Sequence, residues 1–282
     1  MKVFETAGQI HAEINYLRSQ GKKIGLVPTM GALHQGHITL IKEALKSCDI
    51  VVCSIFVNPL QFNNPEDFKK YPSTIVKDSQ MLEESGCHLL FHPNYEQVYG
   101  QTQPRDYDLG HLNNMMEGSF RPGHFQGVAN VVIRFFEIII PDIAYFGLKD
   151  YQQYMVIKRI TALTMPQIKI QGVETVREET GLAMSSRNLR LNEEEYKSAC
   201  KVPSLLKLIT EKLKHQSIKE AKEWFIHEFS LIPHLKIEYI EFADADTLEL
   251  VSELTPQRSI RVFTAFYAGE VRLIDNMEVL LD

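Results

Sequence analysis

Cysteine is scarce in this chain of 282 residues: Cys48, Cys53, Cys87 and Cys200, with no Cys-x-x-Cys pair among them. That excludes a disulfide scaffold and a cysteine zinc site, and it suits buried thiols in a reducing compartment. Long uncharged apolar runs are also missing. The most apolar stretch is broken by Arg134 and Glu137, and residues 1–10, which contain Lys2 and Glu5, lack the apolar core of a signal peptide. A cytoplasmic protein with no membrane partner is expected. There is no basic surplus either, since 30 Lys and Arg stand against 36 Asp and Glu for a net charge of −6. A nucleic-acid partner is therefore excluded, because affinity for a polyanionic backbone rests on a basic surface. Three signatures are absent as well: the dinucleotide Gly-x-Gly-x-x-Gly, the phosphate-binding Gly-x-x-x-x-Gly-Lys-Ser/Thr and the metalloprotease His-Glu-x-x-His. No repeat or low-complexity tract interrupts the chain.

What remains is an ordinary globular composition, 44% hydrophobic and 23% charged, long enough to bury a core without staples. Residues 1–176 alternate apolar runs with helical patterns, as an α/β domain with a largely parallel sheet does. Strands are expected at Lys23–Pro28, Ile50–Val57, His88–His92 and Asp142–Phe146, with helices at His37–Cys48, Ser73–Ser85 and Gln126–Ile140. Residues 177–282 read as a smaller α+β domain. It has charged amphipathic helices at Asn192–His215 and Ser217–Leu231, then strands near Lys236–Phe242, Ile260–Tyr267 and Val271–Ile274. Asn192 and Glu195 form a capping-box pattern, and Pro203 should break the first of these helices. The expected fold is thus α/β: a Rossmann-like parallel-sheet N-terminal domain followed by a smaller α+β domain.

The most informative segment is Pro28-Thr29-Met30-Gly31-Ala32-Leu33-His34-Gln35-Gly36-His37, directly after the first expected strand. Composition alone predicts only about 0.02 occurrences of His-x-Gly-His in such a chain, so the motif carries weight. If a helix begins here, its unpaired N–H groups and its dipole favour an anion, and Gly36 lets a ligand approach the backbone. The alternative is that one histidine caps the helix and the other lies on the surface.

Three further segments fall at strand ends or at the domain junction. Asn58-Pro59-Leu60-Gln61-Phe62 follows the second strand, and Gln61 offers both donor and acceptor to a small hydroxy acid, or simply sits in a turn. Phe146-Gly147-Leu148-Lys149-Asp150-Tyr151-Gln152-Gln153 follows the fourth, with Lys149 as a phosphate cation or a solvated lysine. Asp150 either accepts from a ribose hydroxyl or caps the next helix, and Gln153 lies one turn along. The run from Val176 to Met184-Ser185-Ser186-Arg187-Asn188 pairs two hydroxyls with a guanidinium that can fork onto two oxygens, or forms a serine-rich linker. Arg121-Pro122-Gly123-His124-Phe125 is ambiguous, and His124 receives no chemical role from sequence.

Taken in order, these segments resemble the pantothenate synthetase family, the pantoate–β-alanine ligases of the His-x-Gly-His nucleotidyltransferases. The match is dense to about residue 190 and weaker beyond, where it rests on length and Arg272-Leu273-Ile274-Asp275-Asn276. The resemblance implies ATP-dependent joining of pantoate to β-alanine through a pantoyl adenylate, with release of pyrophosphate and AMP. It also implies ATP contacts from Met30, Gly31, Ala32, Leu33, His34, Gln35, Gly36 and His37, and from Gly147, Leu148, Lys149, Asp150, Val176, Met184, Ser185, Ser186 and Arg187. Within that set the chemistry falls to His34, His37, Lys149, Ser185, Ser186 and Arg187, with His37 as proton donor. Gln61 and Gln153 would hold pantoate, and Gln61 would also meet β-alanine. Magnesium would accompany ATP with no assigned protein ligands, Asp78 being the one carboxylate considered, and a homodimer is expected. Leu148, Ser73 and Asn130 depart from the family pattern. The first half of the chain alone would also suit a nucleotidyltransferase acting on a phosphate or an ATP-binding regulatory module.

Overall fold

The computed structural model describes residues 1–63, 68–69, 71–255 and 258–279. The chain divides into two units, one of residues 1–148 with 152–174 and one of 149–151 with 175–282. The boundary falls at Glu174, two residues before the position expected from sequence, and the short piece Lys149–Tyr151 groups with the second unit.

The first unit is built on a parallel sheet of β1 (Lys2–Phe4), β2 (Ile24–Thr29), β3 (Ile50–Ile55), β4 (Leu89–Phe91), β5 (Ile143–Gly147) and β6 (Lys169–Val173). Their order is β1-β4-β3-β2-β5-β6, and every pairing is parallel. The central strands are near-continuous apolar runs because helices cover both faces. Ile24, Leu26, Val27, Val51, Val52 and Cys53 are all fully buried. The four expected strands form within a residue or two of their anticipated limits. Edge strands β1 and β6 carry no clear sequence signal, because β1 has three residues, and β6 alternates Lys169 and Gln171 with small or apolar neighbours.

This part of the chain also contains helices α1 (Ala7–Ser19), α2 (Gln35–Leu45), α3 (Ile75–Glu84), α4 (Tyr95–Val98), α5 (Met116–Phe120), α6 (His124–Ile139) and α7 (Tyr151–Thr164), α7 from Gln152 onward lying in the first unit. Helix α6 is buried except along a stripe of Gln126, Arg134 and Glu137, and it starts two residues earlier than its apolar spacing suggests. Gly123 enters it at φ 80°, and Ile140, at φ 48° just before Pro141, ends it. Gly127 lies so close to the Leu60 carbonyl that a Cβ there would overlap it, so α6 is seated directly on the loop after β3.

The second unit packs α8 (Glu193–Ala199), α9 (Val202–Lys212) and α10 (Ile218–Ser230) on an antiparallel sheet of β7 (Leu235–Asp244), β8 (Ile260–Ala268) and β9 (Val271–Val279). Leu206, Ile209, Phe225, Phe229, Phe242 and Phe266 form the centre of its core. The expected break near Pro203 is real: one helix ends at Ala199 and the next begins at Val202, with the proline in its first turn, where its missing N–H costs nothing. The Asn192–Glu195 capping box is present, and Ser217 with Glu220 makes another on α10. Among the described residues no helix is long and apolar enough to cross a membrane.

Candidate active site

In the first unit the chain leaves β2 for β3 on one side and β5 for β6 on the other, so β2 and β5 flank the switch point of the sheet. Loops beyond the carboxyl ends of these strands are where open α/β sheets bind ligands. Residues 30–37 follow β2, and Gly147 ends β5 with Leu148 directly after it.

The loop after β2 is shaped by two successive residues in the left-handed region, Gly31 at φ 82° and Ala32 at φ 50°. Alanine adopts that conformation only at a cost, which must be met locally. Asp78 of α3 meets it: its carboxylate accepts the Ala32 and Leu33 N–H groups, each at 2.9 Å, and the Thr74 hydroxyl at 3.1 Å. Asp78 is 1% exposed. Its oxygens are therefore committed to the loop, which removes it as the magnesium ligand considered from sequence. No cluster of three or more His, Cys, Asp or Glu side chains exists among the described residues, so these offer no protein cage for a metal.

Both histidines are oriented by backbone. His34 is the N-cap of α2, its Nδ1 accepting the Gly36 N–H at 3.1 Å. His37 Nδ1 accepts the His34 N–H at 3.3 Å, and the ring centroids are 4.1 Å apart. An Nδ1 that accepts carries no proton, so each neutral ring presents Nε2–H as its donor. Of the sequence readings, the helix cap is present: it is His34, at the start of α2.

Beyond β3, Asn58 is fully buried. Its amide N–H groups reach Gln61 Oε1 (3.2 Å) and the Gly127 carbonyl (3.0 Å), while its Oδ1 accepts from the Tyr99 hydroxyl (3.0 Å) and the Leu60 N–H (3.3 Å). Burial pushes the Tyr99 phenol well up, which keeps it a donor. Gln61 Nε2 lies 2.9 Å from Met30 Sδ, linking this loop to the histidine loop. His124 donates from Nδ1 to the Gln61 carbonyl at 2.8 Å, and Arg121 lies 3.1 Å from its Nε2. Because arginine only donates, His124 is the opposite tautomer to His34 and His37. The sequence reading gives neither Asn58 nor His124 this role: both lie in segments that carry the family resemblance, but Asn58 reads as a turn former and the partner of His124 lies 63 positions away.

The adjacent glutamines of α7 differ. Gln152 is buried, its amide spent on the Glu117 N–H and the Leu112 and Met115 carbonyls. Gln153 is half-buried, and its side chain makes no hydrogen bond to any described residue. Of the departures from the family pattern, Leu148 lies over Gly172, where a Cβ would come within 2.6 Å of it, and Asn130 holds both the N–H and the carbonyl of Arg105. Ser73 is exposed.

In the second unit a shallow recess is lined by Lys149, Ser185, Arg187, Asn188, Arg272 and Asp275, with apolar residues between them. Val176 and Met184 pair across a reversal, the Met184 N–H donating to the Val176 carbonyl at 3.0 Å, and Gly181 turns the chain at φ 88°. Arg177 forks onto Asp275 at 2.7 and 2.9 Å. Ser185 caps a short turn that contains the half-buried Ser186, its Oγ accepting the Arg187 N–H at 3.2 Å. The Lys149 ammonium is 3.6 Å from Asp150. Cations and a hydroxyl around one recess suit a polyanionic group.

A doubly wound α/β unit with histidine donors at its switch point, followed by an α+β unit with a cationic recess, defines a nucleotide-handling α/β protein. The particular family is given by comparison with known proteins. The profile of the pantoate-beta-alanine ligase family matches residues 2–278. The pantothenate synthetase of Porphyromonas gingivalis is 42% identical over 281 residues, covering 99% of each chain, and that of Bacteroides thetaiotaomicron is 41% identical over 279 residues with the same coverage. The crystal structure of the Thermus thermophilus pantothenate synthetase superposes with a TM-score of 0.92 at 38% identity, covering 99% of both chains. A Francisella tularensis pantoate-beta-alanine ligase, complexed with beta-gamma ATP and beta-alanine, gives 0.82 at 36% identity, covering 99% of this chain and 97% of that one. The chain belongs to the pantoate–β-alanine ligase family.

Proposed function

We propose that this chain joins pantoate to β-alanine at the expense of ATP. The pantoate carboxylate attacks the α-phosphorus, giving pantoyl adenylate and pyrophosphate; the β-alanine amine then attacks the acyl carbon and AMP leaves. The observation that carries the proposal is the pair of histidines whose Nδ1 atoms are occupied by backbone N–H groups at 3.1 and 3.3 Å, in a chain of this family. Fixed Nε2–H donors at a helix N-terminus stabilise charge that grows on phosphate oxygens in the transition state and require no reorganisation as the reaction proceeds.

In this reading Met30–His37 meet ATP, with His34 and His37 on the phosphates and His37 as proton donor to the departing pyrophosphate. Gly147–Asp150, Val176 and Met184–Arg187 complete the ATP contacts, and Lys149, Ser185, Ser186 and Arg187 face the phosphate charge. Gln61 and Gln153 hold pantoate, and Gln61 also meets β-alanine. The buried commitments of Asn58, Tyr99 and His124 support this by fixing Gln61 before any substrate arrives. Magnesium enters as the ATP complex, held by the phosphates. The second step begins from a reactive mixed anhydride, so positioning a neutral amine and excluding water supply the catalysis. The enzyme is cytoplasmic and works as a homodimer.

The test is exchange of labelled pyrophosphate into ATP. It should require pantoate and not β-alanine, and adding β-alanine should yield pantothenate and AMP. Exchange that depends on a phosphorylated acceptor and ignores pantoate would assign the chain another nucleotidyl transfer, and ATP binding with no AMP formed would leave it a binding module.

A further inference from the structure

Lys149 follows β5, a strand of the first unit, yet it is fastened to the sheet of the second. Asn276 of β9 donates from Nδ2 to the Lys149 carbonyl at 2.8 Å, across 127 positions of sequence. Its Oδ1 accepts from Arg261 Nη1 at 2.7 Å. Both side chains are buried, Asn276 at 3% and Arg261 at 7% exposure. The Arg261 guanidinium lies 4.3 Å from the centre of the Tyr151 ring, and the Tyr151 hydroxyl donates to the Ala245 carbonyl at 3.0 Å. The same ring packs against Phe263, which stands opposite Asn276 in the β8–β9 register.

We infer that Asn276, with Arg261 and Tyr151, is a positioning device for Lys149, setting where its ammonium enters the recess beside Ser185 and Arg187. The inference rests on the assignment of Lys149 to the ATP phosphates. The chemistry at position 276 is restrictive. Arginine only donates and a carbonyl only accepts, so the residue between them must accept on one side and donate on the other. An asparagine amide does both in a single orientation. An aspartate of the same size keeps the arginine but turns an acceptor against the Lys149 carbonyl. Fixing both ends of Lys149–Tyr151, by the amide at one and the tyrosine ring at the other, removes main-chain freedom that the lysine would otherwise spend at each turnover.

Asn276→Asp separates positioning from folding, because it preserves volume and gives Arg261 a full counter-charge. We expect pantoate-dependent ATP–pyrophosphate exchange to fall about 10- to 100-fold, the scale for misplacing a reacting group by an ångström. KM for pantoate should stay within twofold and the thermal midpoint near wild type. In a Lys149→Ala background the same substitution should cost nothing further, since a residue acting only through Lys149 is fully coupled to it. Wild-type exchange in Asn276→Asp, or an equal loss with and without Lys149, would overturn the inference. If Asn276→Asp does not fold, Tyr151→Phe, which frees the ring's hydroxyl end, should show a smaller loss that again vanishes with Lys149→Ala; an additive loss contradicts it. Unchanged exchange in Lys149→Ala by itself would instead refute the role of the lysine, and is read separately.

Discussion

Two loops carry the residues proposed above to handle phosphate charge, and each is held by a buried aspartate in a different way. After β2, Asp78 takes the main chain itself, accepting two consecutive N–H groups of a left-handed turn. In the second unit Asp275 takes a side chain, the Arg177 guanidinium, which in turn donates to the Gly181 and Asn276 carbonyls. The first arrangement fixes backbone, and with it the tautomers of His34 and His37. The second fixes a reversal through a flexible intermediary and leaves Ser185 and Arg187 on a short turn beside a recess. Preorganisation is therefore tighter in the histidine loop, whose main chain is held directly, and looser beside the recess, where a side chain intervenes.

Substitutions should grade accordingly. His37→Ala should slow pantoate-dependent ATP–pyrophosphate exchange about 10²- to 10³-fold, the scale for one transition-state donor, with the fold intact by circular dichroism. Asp78→Ala comes next. It strands two backbone N–H groups in a strained turn and should lower stability by about 3 kcal/mol in urea unfolding, with a loss of exchange beyond what the unfolded fraction explains. Asp275→Ala should cost less, about 2 kcal/mol, because the Arg177 side chain keeps 25% exposure and water takes up part of the lost pairing. A larger loss from Asp275 than from Asp78 would reverse the comparison.

Smaller effects sharpen it within α7. Gln153→Ala should raise KM for pantoate about tenfold, the value of one hydrogen bond of about 1.4 kcal/mol, and leave stability unchanged. Gln152→Ala should lower stability by about 1 to 2 kcal/mol with little change in that KM. The smallest effect concerns thiols. Burial raises Cys48 and Cys53 and pushes Cys87 up to about 11, so at a pH of about 7.5 these three thiols stay protonated and sheltered. Half-buried Cys200 of the second unit should be the first labelled by a thiol reagent in the native protein, as read by mass spectrometry of digests.

Legibility in sequence followed distance. The histidine motif, the strand-end glutamine and the arginine-serine turn are visible because each is a run of a few residues with its chemistry in place. The central strands are visible because burial on both faces leaves continuous apolar runs. What holds those motifs is not. Asp78 lies 45 positions from the loop it shapes, His124 63 from the carbonyl it holds, and Asn276 127 from Lys149. Even inside a recognisable segment such a role is hidden, since a carboxylate in an amphipathic helix or an asparagine in a strand looks the same whether its partner is water or a distant group. Asp78 even suggests, from sequence, a role that its contacts forbid. Gln152 and Gln153 illustrate the same limit: adjacent and chemically identical, they are told apart only by what α7 packs against.

The central claim is that the backbone sets the two histidines as neutral Nε2–H donors aimed at phosphate. Nitrogen-15 NMR of histidine-labelled protein, at a pH of about 8 where an ordinary imidazole is neutral, reads this directly, with His124 as an internal reference of the opposite tautomer. The account predicts protons on Nε2 and none on Nδ1 for His34 and His37, the reverse for His124, and Nε2 shifts at positions 34 and 37 when ATP is added. A proton on Nδ1 of either loop histidine, or Nε2 signals that ignore ATP, would contradict it.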